Sequence, residues 1–230
     1  EALYEQLCQS RHRILFLDYT NGIGMGGGQR SLLLMLDSLD RRRFRPVLAC
    51  PGDESWKHLA PADVPVVEIP LPGDLRRVDR FQSGWLAVAR GLLSAIGTLR
   101  TVRRLTRLQE IELVHANNLK MLILARLANW GRAVPVFWHV RDILPERPVS
   151  QWARRGGARL ATRVIAVSEA VARQFSTPTE VIHNAVRLPD LSQAAGLREA
   201  FRREHSIPQQ AFVFGYVGRI DAGKGIELLL

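Results

Sequence analysis

The sequence predicts an α/β fold: an open parallel sheet with helices on both faces. Short apolar runs bounded by turn residues alternate with helical periodicities along most of the chain, the pattern left by repeated strand-crossover-strand units. The runs are apolar at consecutive positions, as in Ile14-Leu15-Phe16-Leu17 and Val164-Ile165-Ala166-Val167, and strands covered on both faces read that way. A glycine-rich bend, Gly22 to Gly28, joins the first run to a segment with Leu32, Leu33, Leu36 and Leu39 at helical spacing, which places it where a strand hands over to a helix.

In order along the chain, Arg13 to Asp18 is the first strand, and the bend leads into a helix over about 29–39. A strand over 45–50 ends in the turn Pro51-Gly52-Asp53, then come a helix over about 54–60 and a strand over 64–69 closed by Pro70 and Pro72. Residues 81–109 are the longest helical candidate. A strand over 111–116, a helix from Leu119 to Trp130 closed by Gly131, a strand over 134–139 and a helix over 149–161 follow. The strand over 163–167 precedes Ser168, well placed to cap the next helix, and Thr179 to His183 is the last strand of the series. Residues 11–190 thus form one domain. Residues 191–211, with a helix over about 194–205, read as a linker. At 212–230 the unit restarts: the strand Phe212 to Gly218, the polar turn Arg219 to Gly225 and a helix begun at Ile226. A helix of about five residues does not stand alone, so the expectation is a second domain truncated at its start.

Composition narrows the function classes. With 47% apolar residues the chain can bury a large core. No apolar run reaches the roughly 18 residues of a spanning helix, and a signal-peptide pattern is lacking. With two cysteines, Cys8 and Cys50, the expected location is the cytoplasm. Basic residues number 32 against 22 acidic ones, for a net charge of +10, which favours acidic partners, although genome composition alone produces an arginine excess. Arg100, Arg103, Arg104 and Arg107 fall on one helical face. That face suits peripheral contact with the cytoplasmic side of an anionic membrane, and equally an ordinary solvated face. The interleaved aromatic and basic pattern of an RNA platform is missing, so nucleic acid is not expected as a partner.

The bend itself is suited to anions, because free N–H groups and the positive end of the helix dipole converge at such a terminus. Gly22, Gly24 and Gly27 satisfy the spacing of a dinucleotide-binding turn. That pattern also needs an acidic residue at the end of the second strand, where Cys50 stands with Asp53 three positions on, so a nicotinamide enzyme is disfavoured. A tight turn is the bland alternative, yet three consecutive glycines are costly in backbone entropy. A non-catalytic basic module docking on membrane or nucleic acid is the competing class for the whole chain.

A larger set of residues occurs in one order: Gly26-Gly27-Gly28-Gln29, His139 at a strand end, Val167-Ser168-Glu169, Ile182-His183-Asn184-Ala185-Val186, and Gly215-Tyr216-Val217-Gly218-Arg219 with Lys224-Gly225. Over about residues 13–230 the chain resembles the retaining nucleotide-sugar glycosyltransferases of GT-B architecture, family four, enzymes of polysaccharide and glycoconjugate biosynthesis. The resemblance implies a Rossmann-like domain forming the acceptor half of a two-domain enzyme, with the donor held in a cleft between the domains. By that resemblance Arg219 and Lys224 grip the donor diphosphate, Gly26, Gly27 and Gly28 bring backbone N–H groups to it, and His139 contacts the transferred sugar and affects catalysis. Ser168, Asn184 and Gly218 are matched in hinge or supporting roles. The implied partners are a nucleoside-diphosphate sugar and an acceptor that is lipid-linked, a saccharide or a small molecule, with no cofactor and no metal, since fixed cations stabilise the leaving diphosphate.

Isolated from this pattern, His139 reads as a structural histidine, but at the carboxyl end of a strand, where open sheets bind ligands, the functional reading is preferred. His115 also ends a strand and reads as structural. Arg141 and Asp142 read as a mutual ion pair. Two departures stand out: Ala185 replaces the family's glycine after Asn184, and the family's paired glutamates for the donor's sugar and ribose fall beyond Leu230. The fragment is therefore expected to fold and to transfer no sugar by itself.

Overall fold

The computed structural model describes residues 11–20, 24–73, 94–143 and 148–218. The chain divides into two compact units, Glu1–Val186 and Arg187–Leu230. The first holds seven strands: β1 (His12–Leu17), β2 (Phe44–Pro51), β3 (Val66–Ile69), β4 (Leu113–Ala116), β5 (Val136–Val140), β6 (Arg163–Ala166) and β7 (Thr179–Val181). All pair in parallel, in the order β3-β2-β1-β4-β5-β6-β7. Helices α1 (Gly27–Ser38), α2 (Ile96–Leu108), α3 (Leu119–Ala128), α4 (Pro148–Leu160) and α5 (Glu169–Ala172) make the crossovers.

The consecutive apolar residues of β1 divide between two cores, because successive side chains point to opposite faces. Leu15 and Leu17 join Val102, Met121, Leu122, Ala125 and Trp138 on the side of α2 and α3. Ile14 and Phe16 join Leu32, Leu36, Leu48 and Trp56 on the side of α1. The predicted parallel sheet with helices on both faces is thus the observed one.

Several elements differ from expectation. In place of a helix over 54–60 there is one 3-10 turn, Lys57–Leu59, ended by Ala60 in extended conformation. Ala60 precedes Pro61, which disfavours the helical region for it, and the buried Glu54 carboxylate is occupied by Thr20 N–H and Trp56 Nε1–H. Of the predicted 81–109 helix, residues 96–108 are helical, and 81–93 lie outside the described residues. The arginine face on it is mixed: Arg100, Arg104 and Arg107 are exposed, whereas Arg103 donates to the carbonyls of Ala128 (3.0 Å) and Trp130 (3.2 Å) at the end of α3, where a cation complements unpaired carbonyls. Among the described residues no helix is long and apolar enough to cross a membrane.

In the second unit, α6 (Ala194–Glu204) is present. Buried Arg202 on it ties down the chain that follows, donating to the carbonyls of Pro208, Gln209 and Ala211. Residues 211–217 form no strand. A strand needs a neighbour for its ladder, none of the described strands pairs with this stretch, and Phe212, Phe214 and Val217 are exposed.

Two adjacent glycines of α4 give opposite expectations. A Cβ on Gly157 would lie 2.6 Å from Trp138 Cζ3 and 2.8 Å from Leu119 Cδ1, and the Trp138 ring is held edge-on to Phe175 at 5.5 Å. Gly157→Ala should therefore destabilise the unit by about 2 kcal/mol, overpacking outweighing the roughly 1 kcal/mol gain in helix propensity. At Gly156 no described atom lies within 4 Å of that position, so Gly156→Ala should stabilise by up to about 1 kcal/mol. Urea unfolding of the two variants checks the opposite signs.

Candidate active site at the carboxyl edge of the sheet

Strand order reverses at β1, whose neighbours are β2 and β4. The helices that follow β1 and β4 therefore pack on opposite faces of the sheet, the arrangement at which open α/β sheets bind ligands. Asp18, directly after β1, is 1% exposed and is surrounded by donors. Its Oδ1 accepts from Tyr19 N–H (2.9 Å) and Asn118 Nδ2 (3.1 Å), and its Oδ2 from Asn117 Nδ2 (2.8 Å) and Gln29 Nε2 (3.0 Å). Burial pushes the carboxyl up to about 6, against the downward pull of Asn117, the Tyr19 N–H, Gln29 and the Arg141 charge.

Each donor is itself fixed. Asn117 continues the sheet, its N–H bonding Leu17 O at 3.0 Å. Asn118 is the N-cap of α3, its Oδ1 accepting from Met121 N–H at 3.1 Å. Gln29, in the first turn of α1, accepts the Gly26 N–H at 3.1 Å on Oε1 while Nε2 reaches Asp18. The glycine bend is thereby tied to the end of β1.

Arg141, immediately after β5, bridges this group to a second one. Its Nε donates to Asn117 Oδ1 and its Nη1 to Asn184 Oδ1, both at 2.8 Å. Asn184 Oδ1 also accepts from Ser31 Oγ of α1 at 2.8 Å. Arg141 Nη2 lies 3.3 Å from His139 Nδ1, and His115 Nε2 lies 3.2 Å from the same atom. Both histidines are buried. Burial, with the Arg141 charge beside them, pushes His115 down to about 3 and His139 to about 2, so both rings are neutral at physiological pH. Among the described residues, His139 Nε2 is the buried side-chain nitrogen or oxygen with no hydrogen-bond partner.

The start of α1 faces this cluster from the glycine side. None of Gly26, Gly27 and Gly28 has positive φ, so backbone conformation does not demand glycine there. A Cβ on Gly28 would contact Arg141 Cδ at 3.4 Å, and a Cβ on Gly27 would meet no described atom within 4 Å. Protein packing does not demand glycine at 27 either, and the bare backbone leaves the first-turn N–H groups open to a ligand. With no acidic residue in that turn, the terminus suits a diphosphate.

Of the residues singled out from sequence, Gly28, His139 and Asn184 meet around Arg141, and Gly26 joins through Gln29. Ser168 does not meet them; it caps α5, its Oγ accepting from Val171 N–H at 3.3 Å. Gly218 belongs to the second unit, and Arg219 and Lys224 lie outside the described residues. Sequence reasoning missed Asp18, Asn117, Asn118 and Ser31 as members. Arg141, expected to pair with Asp142, feels the charge of that residue and directs its hydrogen bonds to Asn117 and Asn184, with Nη2 toward His139. His115, read as merely structural, contacts His139. A usable signal was present in Asp18 and in Asn117-Asn118, polar residues ending otherwise apolar strands. Among the described residues no group of three or more His, Cys, Asp or Glu could hold a metal ion.

Comparison with known proteins places this geometry in context. The family model described as glycosyl transferase 4-like domain matches residues 26–187. HepE of Anabaena, crystallised with UDP-glucose, superposes with a TM-score of 0.65 at 23% identity, covering 94% of this chain and 56% of that one. Sucrose-phosphate synthase of Thermosynechococcus elongatus gives a TM-score of 0.67 at 13% identity, covering 95% and 58%. A glycosyltransferase of Rickettsia africae gives 0.58 at 15% identity, covering 88% and 51%. The chain thus spans little more than half the length of these structures, and the likeness is one of fold. A search of curated proteins found no significant match.

Proposed function

Because the chain belongs to the glycosyl transferase 4-like family, we propose that it is the acceptor-side domain, with the start of the donor-side domain, of an enzyme that moves a sugar from a nucleoside diphosphate to an acceptor with retention of configuration. Its sheet matches the N-terminal half of GT-B glycosyltransferases. The observation that carries the proposal is the buried polar cluster at the strand-order reversal, set against a helix start stripped of side chains at Gly27 and leaving His139 Nε2 without a partner among the described residues. The UDP-glucose bound to HepE supports a nucleotide sugar as donor.

In this reading each part has a role. The open N–H groups at Gly27 and Gly28 meet the diphosphate; by the family resemblance alone, Arg219 and Lys224 are the cations that offset charge on a leaving diphosphate. His139 Nε2 meets a hydroxyl of the transferred sugar and orients it. Asp18, with four donors committed to it, is a structural anchor of the site and takes no proton from the acceptor.

The test is His139→Ala in the intact enzyme. Loss of one preorganised contact to the reacting sugar should lower kcat by about a hundredfold or more, with nucleoside diphosphate affinity held within about twofold. Wild-type turnover in that variant refutes the assignment. The 230-residue chain alone should fold and release no nucleoside diphosphate from UDP-glucose, GDP-mannose or dTDP-glucose; measurable turnover with any of them contradicts that expectation.

A further inference from the structure

We propose that Arg141 and His115 are positioning residues that hold His139 in a single neutral tautomer, Nδ1 bare and the proton on Nε2, so that the ring offers a hydrogen-bond donor at its unpartnered nitrogen. Two nitrogens, Arg141 Nη2 and His115 Nε2, converge on Nδ1. A guanidinium can only donate, and Arg141 Nη2 stands 3.3 Å from His139 Nδ1. A proton on Nδ1 would point at that N–H, so Nδ1 must present its lone pair. His115 Nε2, 3.2 Å from the same atom, is then the second donor. Two donors then share the one lone pair, at 3.3 and 3.2 Å.

Arg141 cannot easily turn away. Its Nε and Nη1 are committed to Asn117 and Asn184 at 2.8 Å each, and the guanidinium is a planar fork, so fixing two nitrogens fixes the direction of the third. Asn117 is held in turn by the Asp18 carboxylate. The chain Asp18, Asn117, Arg141, His139 therefore runs from the end of β1 to the end of β5 and ends on an imidazole nitrogen. The other tautomer, with Nδ1–H donating to His115 Nε2, would set two N–H groups against each other or cost the Arg141 bonds. The doubly protonated ring is excluded by its burial and by the adjacent guanidinium.

A histidine fixed this way is a donor and not a base. In the transfer reaction proposed above, on which this consequence rests, it gives a hydrogen bond from Nε2 to a sugar oxygen and accepts no proton there. The tautomer itself does not depend on that reading and is measured without substrate. In the chain labelled with 15N-histidine, long-range correlations between ring carbons' protons and ring nitrogens distinguish protonated from bare nitrogens, with His139→Gln identifying the signal. At pH 7 the expected pattern is Nε2 protonated and Nδ1 bare, unchanged between pH 5 and 8. Arg141→Met should populate the Nδ1–H form to a comparable extent, and Arg141→Lys, which restores a donor, should shift it back toward Nε2–H. A wild-type ring protonated on Nδ1, or averaged between the two forms, overturns the proposal whether or not any variant folds; so does an Arg141→Met ring identical to wild type. The expected tautomer in an enzyme that transfers no sugar would leave this assignment standing and remove the glycosyl-transfer reading instead.

Discussion

Asp18→Ala should unfold at markedly lower urea than the wild type, with a loss of about 3–4 kcal/mol. Four donors aim at this carboxylate, from Tyr19, Gln29, Asn117 and Asn118, inside a site where Asp18 is 1% exposed. Each buried donor left without an acceptor costs about 1–3 kcal/mol, reduced where the freed amides swing toward water. Against a total stability of about 5–15 kcal/mol the loss is severe. Its pH dependence has a definite sign. The folded carboxyl is raised to about 6 from 3.8, so the folded state binds the proton more readily than the unfolded chain, and the wild type loses stability as pH rises from about 4 through 6. The alanine variant lacks that titration. The gap between the two should therefore be larger at pH 5 than at pH 8, as read by the fluorescence of buried Trp56 and Trp138 in urea titrations at the two pH values. Equal gaps, or a larger one at pH 8, would contradict the placement of a buried, proton-retaining carboxyl at the end of β1.

The second large effect falls on the donor. In the intact enzyme, Arg219→Ala and Lys224→Ala should each weaken nucleoside diphosphate binding about 10–100-fold, because a hydrogen bond from a fixed cation to phosphate is worth about 1.5–3 kcal/mol. Fold stability should change little. Arg219→Lys should recover only part of the loss, since a point charge replaces a bidentate fork. Calorimetric titration with UDP and GDP checks both variants, and wild-type affinity in each would remove these residues from the site.

The sequence made the scaffold legible because its signals are local. Ile14 to Leu17 announces a strand covered on both faces, Leu32 and Leu36 announce the α1 face that packs on it, and Ser168 announces a helix start. His139 lies in β5 next to its end and the glycines lie at the start of α1, places that a local reading reaches. What stayed hidden is long-range pairing. Asp18 bonds Asn117 and Asn118 across 99 and 100 positions, and Arg141 reaches Asn184 across 43. Asp142, the neighbour in sequence, acts on Arg141 through charge, while the hydrogen bonds of Arg141 reach partners that are distant along the chain. Strand order alone decides such meetings: with β4 between β1 and β5, the residues after all three strands come to one edge. The 212–218 segment failed for a related reason, because an apolar run becomes a strand only beside a partner ladder.

The carboxyl edge at the β1–β4 reversal is the proposed place of a nucleoside diphosphate sugar. Backbone amide and histidine-ring spectra of the intact enzyme, titrated with UDP, GDP and dTDP, test it most directly. Saturable shifts of the Gly26, Gly27 and Gly28 amides are expected with at least one of these nucleotides, and a shift of the His139 ring when the matching nucleotide sugar replaces it. Binding that moves none of those four residues would contradict it, as would the failure of all three nucleotides to bind.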